Sequence, residues 1–447
     1  MTAYQLVCGM EVHAELKTAS KMFCGCKNDP FHAAQPNIYT CPVCLGMPGG
    51  LPVANKKAIE WTIKLGLALN CKIHLFSHFD RKNYFYPDLP KGYQISQYDQ
   101  PLCYDGNLET EYGTVRIRRI HLEEDTAKLQ HKTVNGKQVS LIDFNRSSVP
   151  LVEVVTEPDI ISPVHAKAYC KSLRQILRFL DIADCDMEQG GMRLEANVSL
   201  RSAGQTELPS YKTELKNINS FRFMEKAVAY EMERQAHELD TGQTPIQETR
   251  GWNDAKGETF SQRVKEDAED YRYFPDPDLP PLHFTEEDIN KIDSELPELP
   301  AQLKARWRTA YDIEPKYAEV LTEEKETAEW VEHIFALAKT QHVLPATVAN
   351  ALVNKKIAVQ IGDAPSTVLA AVVQLSQTDD VSDAQISEVV QIVLAENPAL
   401  VEQYMAGKTQ VFGFLMGQTQ KKLGKKVNPQ QVRAMIEIQL QLYNHKK

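Results

Sequence analysis

The chain has 447 residues, of which 43% are hydrophobic and 25% charged, and these values are ordinary for a globular protein. The 50 Lys and Arg against 60 Asp and Glu give a formal net charge of −10, and the absence of any run of about 18 apolar residues excludes a transmembrane helix. The length favours two or three domains. Because the N-terminus has no basic start and carries an early acid, we expect no signal peptide and a cytoplasmic location.

Two predicted strands carry charged side chains that need an explanation. Alternation along residues 8–15 places Glu11 and His13 on the same strand face. Residues 150–156 have the apolar composition of a buried strand, but Glu153 interrupts it. A buried acid is costly unless it is paired or bound to a cation.

Four cysteines form the sharpest motif of the chain. A Cys-x-Cys pair is followed after 14 residues by a Cys-x-x-Cys pair, and the residues are Cys24, Cys26, Cys41 and Cys44. Two close thiol pairs fit a tetrahedral zinc site, and four protein ligands would make its role structural. The alternative is four unrelated buried thiols. An odd total of nine cysteines in a cytosolic chain argues against a disulfide framework.

The stretch 79–88 places Arg81 and Lys82 beside Tyr84, Phe85 and Tyr86. Cationic groups next to aromatic rings offer phosphate contacts and stacking surfaces. Aromatic side chains are equally common in protein cores, so the composition of this stretch leaves both interpretations open.

Acidic side chains recur on the predicted strands of the first part of the chain. Besides Glu11 and Glu153, they include the run 123–125 and Glu195. Carboxylates with one imidazole are suitable ligands for a magnesium ion that also holds the phosphates of a nucleotide. The alternative is a solvated acidic sheet face. No phosphate-binding P-loop, dinucleotide-binding fingerprint or hydrolase nucleophile elbow occurs in the sequence.

The pattern changes towards the C-terminus. Beyond Glu286 the sequence has helical spacing, after the Pro-rich stretch 275–281. A softer boundary falls at 377–385. Residues 401–447 hold eight Lys and Arg against two Glu, which suits contact with a polyanion or a solvated basic helix surface.

Long motifs resemble one known family, the B subunits of the bacterial aspartyl/glutamyl-tRNA amidotransferases. They are GMEVHAEL (9–16), FDRKNYFYPDLPKGYQISQYDQP (79–101), HLEED (121–125), DFNRSSVPLVEVVTEPDI (143–160), ELKNINSF (214–221) and DYRYFPDPDLPP (270–281). The resemblance runs from end to end and is strongest in residues 1–281.

The resemblance implies an α+β fold with three domains. A cradle-shaped catalytic domain on a β-sheet, residues 1–290, would carry the zinc-binding insert. An all-α linker domain, residues 291–378, and an all-α tail domain that binds tRNA, residues 379–447, would follow.

The resemblance also implies the reaction and the partners. ATP would phosphorylate the side-chain carboxylate of Glu on tRNA(Gln) or of Asp on tRNA(Asn), and ammonia from a separate glutaminase subunit would then form the amide. A small third subunit would fasten the glutaminase to this chain. The alternative function is a zinc-stabilised tRNA-binding scaffold without chemistry of its own, but such a scaffold gains nothing from carboxylates that face a polyanion.

Site residues follow from the resemblance by position. Glu11, His13, Glu124 and Glu153 are expected to be the catalytic magnesium ligands, Lys82 is expected to act near the phosphates, and Arg81 with Lys82 is expected to bind ATP. The four cysteines match a zinc site found in some members. Many members have Asp where this chain has Glu195, and the extra methylene sets that residue apart from the proposed ligands.

Overall fold

A computed structural model describes residues 4–264, 270–376, 381–425 and 427–444. Its strands are β1 (Tyr4–Glu15), β2 (Lys72–Ile73), β3 (Phe76–Ser77), β4 (Asp80–Asn83), β5 (Tyr93–Ser96), β6 (Cys103–Thr110), β7 (Gly113–Glu124), β8 (Lys128–Val134), β9 (Lys137–Asp143), β10 (Pro150–Thr156), β11 (Met192–Ser202), β12 (Thr213–Ile218), β13 (Glu248–Asn253), β14 (Glu258–Val264), β15 (Phe274–Pro275) and β16 (Leu282–His283). The helices are α1 (Lys56–Ala68), α2 (Pro163–Phe179), α3 (Phe221–Asp240), α4 (Glu286–Ser294), α5 (Pro300–Tyr311), α6 (Pro315–Leu321), α7 (Lys325–Thr340), α8 (Pro345–Val353), α9 (Pro365–Ser376), α10 (Asp383–Glu396), α11 (Pro398–Met405), α12 (Phe412–Leu423) and α13 (Pro429–Asn444), with a 3₁₀ turn at Thr409–Val411.

A nine-stranded sheet organises the first part of the chain. Its strand order is β14-β13-β12-β11-β1-β10-β7-β6-β2, and every neighbouring pair is antiparallel except β12 and β13. β1 lies near the centre, between β11 and β10, so the strand that carries Glu11 and His13 has partners on both sides.

The two faces of this sheet differ in chemistry. On one face, apolar side chains such as Val12, Val152 and Leu194 join a core to which helices α1, α2 and α3 contribute Ile63, Leu173 and other side chains. The opposite face presents Glu11, His13 and Glu153, because successive side chains on a strand point to opposite sides.

Short strands add three smaller sheets. They are β15-β4-β5, β16-β3 and the ribbon β8-β9. Because β15 pairs with β4 and β16 pairs with β3, the Pro-rich stretch 275–281 lies between two strands of the first part of the fold.

Helix starts follow the capping pattern of the sequence. The hydroxyl of Ser162 accepts a hydrogen bond from the amide of His165 at the start of α2, and Ser220 does the same for Phe223 at the start of α3. These are the two helix starts that the sequence predicts in the sheet-based part.

The chain forms two compact units. The first contains the described residues up to Arg306 together with Thr322–Ala328, and the second contains Trp307–Leu321 and the described residues from Glu329 onwards. The second unit is helical, and its residues 381–440 have a hydrophobic core of their own that includes Val390, Val401 and Leu415. The predicted α+β class, with a sheet-based part followed by helices, is confirmed. No helix in the described ranges has the length and apolar character needed to cross a bilayer.

Candidate functional site

A row of directly opposed side chains crosses the charged face of the central sheet. His13 on β1 lies opposite Glu153 on β10, and Glu153 lies opposite His121 on β7. Glu11 and Glu123 lie two residues away on the same faces of β1 and β7. The site is therefore built by strand register, from three strands that are distant in sequence.

One carboxylate oxygen joins the two imidazoles. Oε2 of Glu153 lies 3.2 Å from Nε2 of His13 and 3.1 Å from Nε2 of His121. Glu11 Oε1 and Glu123 Oε1 each lie 3.9 Å from His13 Nε2, and Glu123 Oε2 lies 3.6 Å from His121 Nε2. Glu123, Glu153 and His121 are buried.

The acids and imidazoles shift one another's pKa values. Burial alone would lower the pKa of His13, but Glu153, Glu195 and Glu123 outweigh it and raise that pKa to about 9. Burial, followed by repulsion from Glu153 and Glu195, raises the pKa of Glu11 to about 7. Burial also disfavours ionisation of Glu153, yet the imidazoles hold its pKa well below the usual range.

This donor set can hold a cation in two overlapping ways. Ligand atoms of Glu11, His13 and Glu153 all lie within 4.8 Å of one another, and the same is true of His121, Glu123 and Glu153. Three carboxylates and few nitrogen donors favour a hard cation such as magnesium. Nδ1 of His13 and Nδ1 of His121 are buried and have no hydrogen-bond partner among the described residues. The polar contacts of both rings are therefore those that Nε2 makes with the neighbouring carboxylates.

Glu124 lies outside this group. Its Oε1 lies 2.6 Å from Nζ of Lys91 and accepts a hydrogen bond from the amide of Ile95 at 3.0 Å. Neighbouring residues of a strand point to opposite faces, so Glu123, and not Glu124, shares the face of His121. The alternation in HLEED already places His121 and Glu123 on one strand face, and this signal could have identified both residues.

Lys82 on β4 faces the acidic group. Burial alone would lower its pKa, but Glu123 and Glu153 outweigh it, so the pKa of Lys82 is raised. Its ammonium lies 4.9 Å from the ring centre of Tyr271 and 5.8 Å from that of Tyr84. The predicted Lys82 is thus within electrostatic reach of Glu11, Glu123 and Glu153.

Arg81 is engaged elsewhere. Its Nε donates to Asp276 at 2.8 Å and its Nη2 donates to Asp278 at 2.8 Å, while the guanidinium lies 4.3 Å from the ring centre of Tyr93. Asp276 and Asp278 belong to the motif DYRYFPDPDLPP, so this arginine attaches that motif to β4.

A cavity of about 630 Å³ borders the charged face. Its lining includes Lys128, Arg193, Glu195, Asn217 and Asn219. Two of these lining residues have partners outside the lining: Glu195 lies 3.0 Å from Nζ of Lys216, and Arg193 donates to Asp125 at 2.8 Å. Glu195 therefore has a cationic partner of its own.

The four predicted cysteines meet at one place. The Sγ atoms of Cys24, Cys26, Cys41 and Cys44 all lie within 4.8 Å of one another, and all four are free thiols. The amide of Cys41 donates to Cys44 Sγ at 3.2 Å, and Nζ of the buried Lys21 lies 3.7 Å from the same sulfur. Four convergent sulfurs beside amide and ammonium donors fit a tetrahedral zinc ion.

Comparisons with known proteins give one consistent result. The family model of the GatB/GatE catalytic domain matches residues 6–290, and that of the GatB domain matches residues 318–440. A protein of Thermomicrobium roseum, named as the B subunit of aspartyl/glutamyl-tRNA(Asn/Gln) amidotransferase, is 45% identical over 98% of this chain and 99% of its own length. A protein of the same name from Thermodesulfovibrio yellowstonii is 45% identical over 97% of this chain and 98% of its own length.

Proposed function

The chain belongs to the family of aspartyl/glutamyl-tRNA(Asn/Gln) amidotransferase B subunits, and we propose that it activates and amidates the amino acid of misacylated tRNA. The substrate class is Glu-tRNA(Gln), Asp-tRNA(Asn) or both. The side-chain carboxylate is phosphorylated by ATP, and ammonia then displaces the phosphate to leave an amide. As a subunit of a glutamine-hydrolysing ligase, the chain works with a glutaminase that supplies the ammonia.

The charged face is the observation that carries this proposal. A carboxylate is a poor electrophile because its leaving group would be an oxide, whereas an acyl phosphate has a good leaving group. We propose that Glu11, His13 and Glu153 hold a magnesium ion, which supplies charge neutralisation at the phosphates when bound. The short cross-strand distances favour Glu123 as the further ligand, and Glu124, expected from the family resemblance, would support the site through Lys91.

Lys82 supplies positive charge where negative charge develops. Its ammonium interacts with the charges of the acidic group and lies near the rings of Tyr84 and Tyr271. The raised pKa of Lys82 keeps this ammonium charged. It is suited to hold the phosphate or the substrate carboxylate in position. Arg81 is also expected to bind ATP, but its guanidinium is paired with Asp276 and Asp278. It would therefore support the site indirectly, by holding the segment 270–281 against β4.

The remaining assignments extend the same proposal. Cys24, Cys26, Cys41 and Cys44 would bind a structural zinc ion. The glutaminase and the small third subunit would be partners, and the complex would act in the cytoplasm. The tail domain from residue 379 would bind tRNA, and its basic residues are concentrated in 401–447.

A tRNA-binding scaffold without chemistry is the alternative function. Its weakness is electrostatic, because the buried acids of the charged face would repel phosphate unless a cation lies between them. The alternative predicts tRNA binding without ATP-dependent chemistry.

Amidation in the absence of glutamine tests the proposal. The complex is reconstituted with an inactivated glutaminase and given ATP, magnesium, ammonium chloride and either misacylated tRNA. Amide formation would mean that activation and transfer occur outside the glutaminase centre. The rates of amidation of the two misacylated tRNAs would show which is the better substrate. Assembly and tRNA binding without any amide would instead favour the scaffold.

A further inference from the structure

The β8-β9 ribbon carries an unusual arrangement of charge. Over residues 128–143 it contains three lysines and one acid, although the chain as a whole is acidic. Register pairs Lys128 with Asp143, Lys132 with Val139 and Lys137 with Val134. Since residues two apart share a face, the three lysines all lie on the same face of the ribbon.

These lysines are free to bind a ligand. All three are exposed, and none makes an ion pair with another residue that the structure describes. The single acid of the ribbon, Asp143, instead accepts hydrogen bonds from the amides of Asn37 and Asn145, at 3.0 Å and 2.9 Å. By contrast, Arg116 and Arg118 on the neighbouring strand β7 are paired with Asp159 and Glu157.

The ribbon begins at the candidate site. Lys128, its first residue, lines the cavity of about 630 Å³ together with Arg193 and Glu195. A strand of seven residues extends roughly 23 Å from that cavity, at about 3.3 Å per residue. A row of positive charge therefore leads from the charged face into solvent.

We propose that the lysine face of the β8-β9 ribbon binds the phosphate backbone of the tRNA acceptor arm. The inference rests on the proposed function, in which the reacting carboxylate is carried by the amino acid at the 3′ end of the tRNA. When that end enters the charged face, the nucleotides next to it leave the cavity beside the ribbon. A stretch of about 23 Å spans roughly six or seven base-pair steps of a duplex strand, enough to bring phosphates to three lysines.

Phosphate contacts give a salt-dependent and sequence-independent contribution to binding. The test variant is K128A/K132A/K137A in the assembled complex, and the binding probe is uncharged tRNA(Gln) transcript at several salt concentrations. We expect the Kd to rise on the order of tenfold and the slope of log K against log salt to become shallower by about two to three. In the ammonia assay the KM for tRNA rises, while kcat at saturating tRNA changes less than about twofold.

Two controls separate the proposal from its alternatives. K56A/K57A/K171A removes the same charge from helices on the opposite sheet face and leaves the Kd unchanged, whereas K128R/K132R/K137R retains tight binding.

An unchanged Kd and salt slope in the alanine variant overturns the proposal, and so does an equal loss of tRNA affinity in the K56A/K57A/K171A control. Loss of complex assembly in the alanine variant also overturns it, because the ribbon would then contact a protein partner. Wild-type complex that binds tRNA but forms no amide refutes the proposed function while the binding comparison still decides the role of the ribbon.

Discussion

Glu153 connects the two halves of the acidic group through one oxygen atom. Both imidazoles lie within 3.2 Å of that oxygen, and all three side chains are largely withdrawn from water. An isolated buried carboxylate would be very costly, and the pKa values of His13 and His121 are both raised, so at least one imidazole is expected to be protonated on both nitrogens in the metal-free protein. Since a ligating imidazole is neutral, cation binding at this site is expected to release protons.

The adjacent acids Glu123 and Glu124 are predicted to have different roles. Glu123→Gln removes a ligand atom from the acidic group, so we expect amidation to fall by about 100-fold or more while the Kd for tRNA stays within about twofold. Glu124→Gln removes the buried anion that pairs with the partly buried Lys91, so we expect a loss of stability of about 1–3 kcal/mol and a smaller effect on kcat. Ammonia-dependent kinetics and urea unfolding of both variants measure the difference. A reversed pattern, with Glu124→Gln inactive and fully stable, would contradict the assignment of Glu123.

Sequence reasoning reaches these residues only in part. Alternation along a strand identifies the faces of Glu11 and His13, because the period is fixed by the backbone. It does not give the register between strands, so the position of His121 beside Glu153 is not predictable from either strand alone. Glu124 illustrates the same limit. Its partner Lys91 lies on a loop more distant in the sequence, and no local pattern predicts that the two residues pair.

At the level of single elements, helix α2 combines a cap with a buried imidazole. His165 is almost completely buried in its first turn, and Nδ1 accepts a hydrogen bond from the amide of Ile161 at 3.4 Å. Burial lowers the pKa of His165 below 6.5, and a proton on Nδ1 would remove that acceptor. A positive charge at a helix N-terminus is also unfavourable. The native state therefore favours neutral His165.

His165 should make stability depend on pH on the acid side. The unfolded chain binds a proton near pH 6.5 and the folded chain only at lower pH, so this contribution is present above 6.5 and is lost as the pH falls below it. His165→Asn keeps a side-chain acceptor but cannot be protonated. We expect the unfolding free energy of the wild type to fall more steeply than that of the variant between about pH 6.5 and 5, measured by urea denaturation. Parallel pH profiles would show that His165 does not titrate on unfolding.

Local signals suffice for elements of this kind. Ser162 before Pro163 and Ser220 before an apolar periodic segment mark helix starts that the structure has, because a cap is formed by residues adjacent in sequence. The pairing of β15 with β4 joins segments almost 200 residues apart, and no adjacent signal predicts it. The strands that flank the Pro-rich stretch 275–281 pair with β4 and β3. This stretch suggests a domain boundary in the sequence, but it therefore lies within the first unit.

At the scale of the whole molecule, residues 381–440 have their own hydrophobic core. Removal of the whole region therefore takes away this core completely and does not leave part of it exposed to water. The region holds six Lys and Arg against five acids, and all of the basic residues lie between Lys408 and Arg433.

Deletion of residues 380–447 is expected to separate binding from chemistry. We expect the Kd for tRNA to rise, because the basic tail is lost, while ammonia-dependent kcat at saturating tRNA is largely retained. Equilibrium binding and kinetics of the reconstituted complex test this. Unchanged tRNA affinity would refute the role of the tail, and complete loss of kcat at saturation would show that the tail also serves the reaction.

The position of β1 has a consequence for biosynthesis. Although β1 is the first strand of the chain, its two neighbours are residues 150–156 and 192–202, so its edges stay unpaired until those segments have been translated. At about 5–20 residues per second, ribosomes need on the order of 10–40 s to make the intervening chain. Until residue 156 has been made β1 has no neighbouring strand, and until residue 202 has been made it has only one, β10. The charged face is thus completed late, and a nascent chain stalled before residue 192 should depend on chaperones to avoid aggregation.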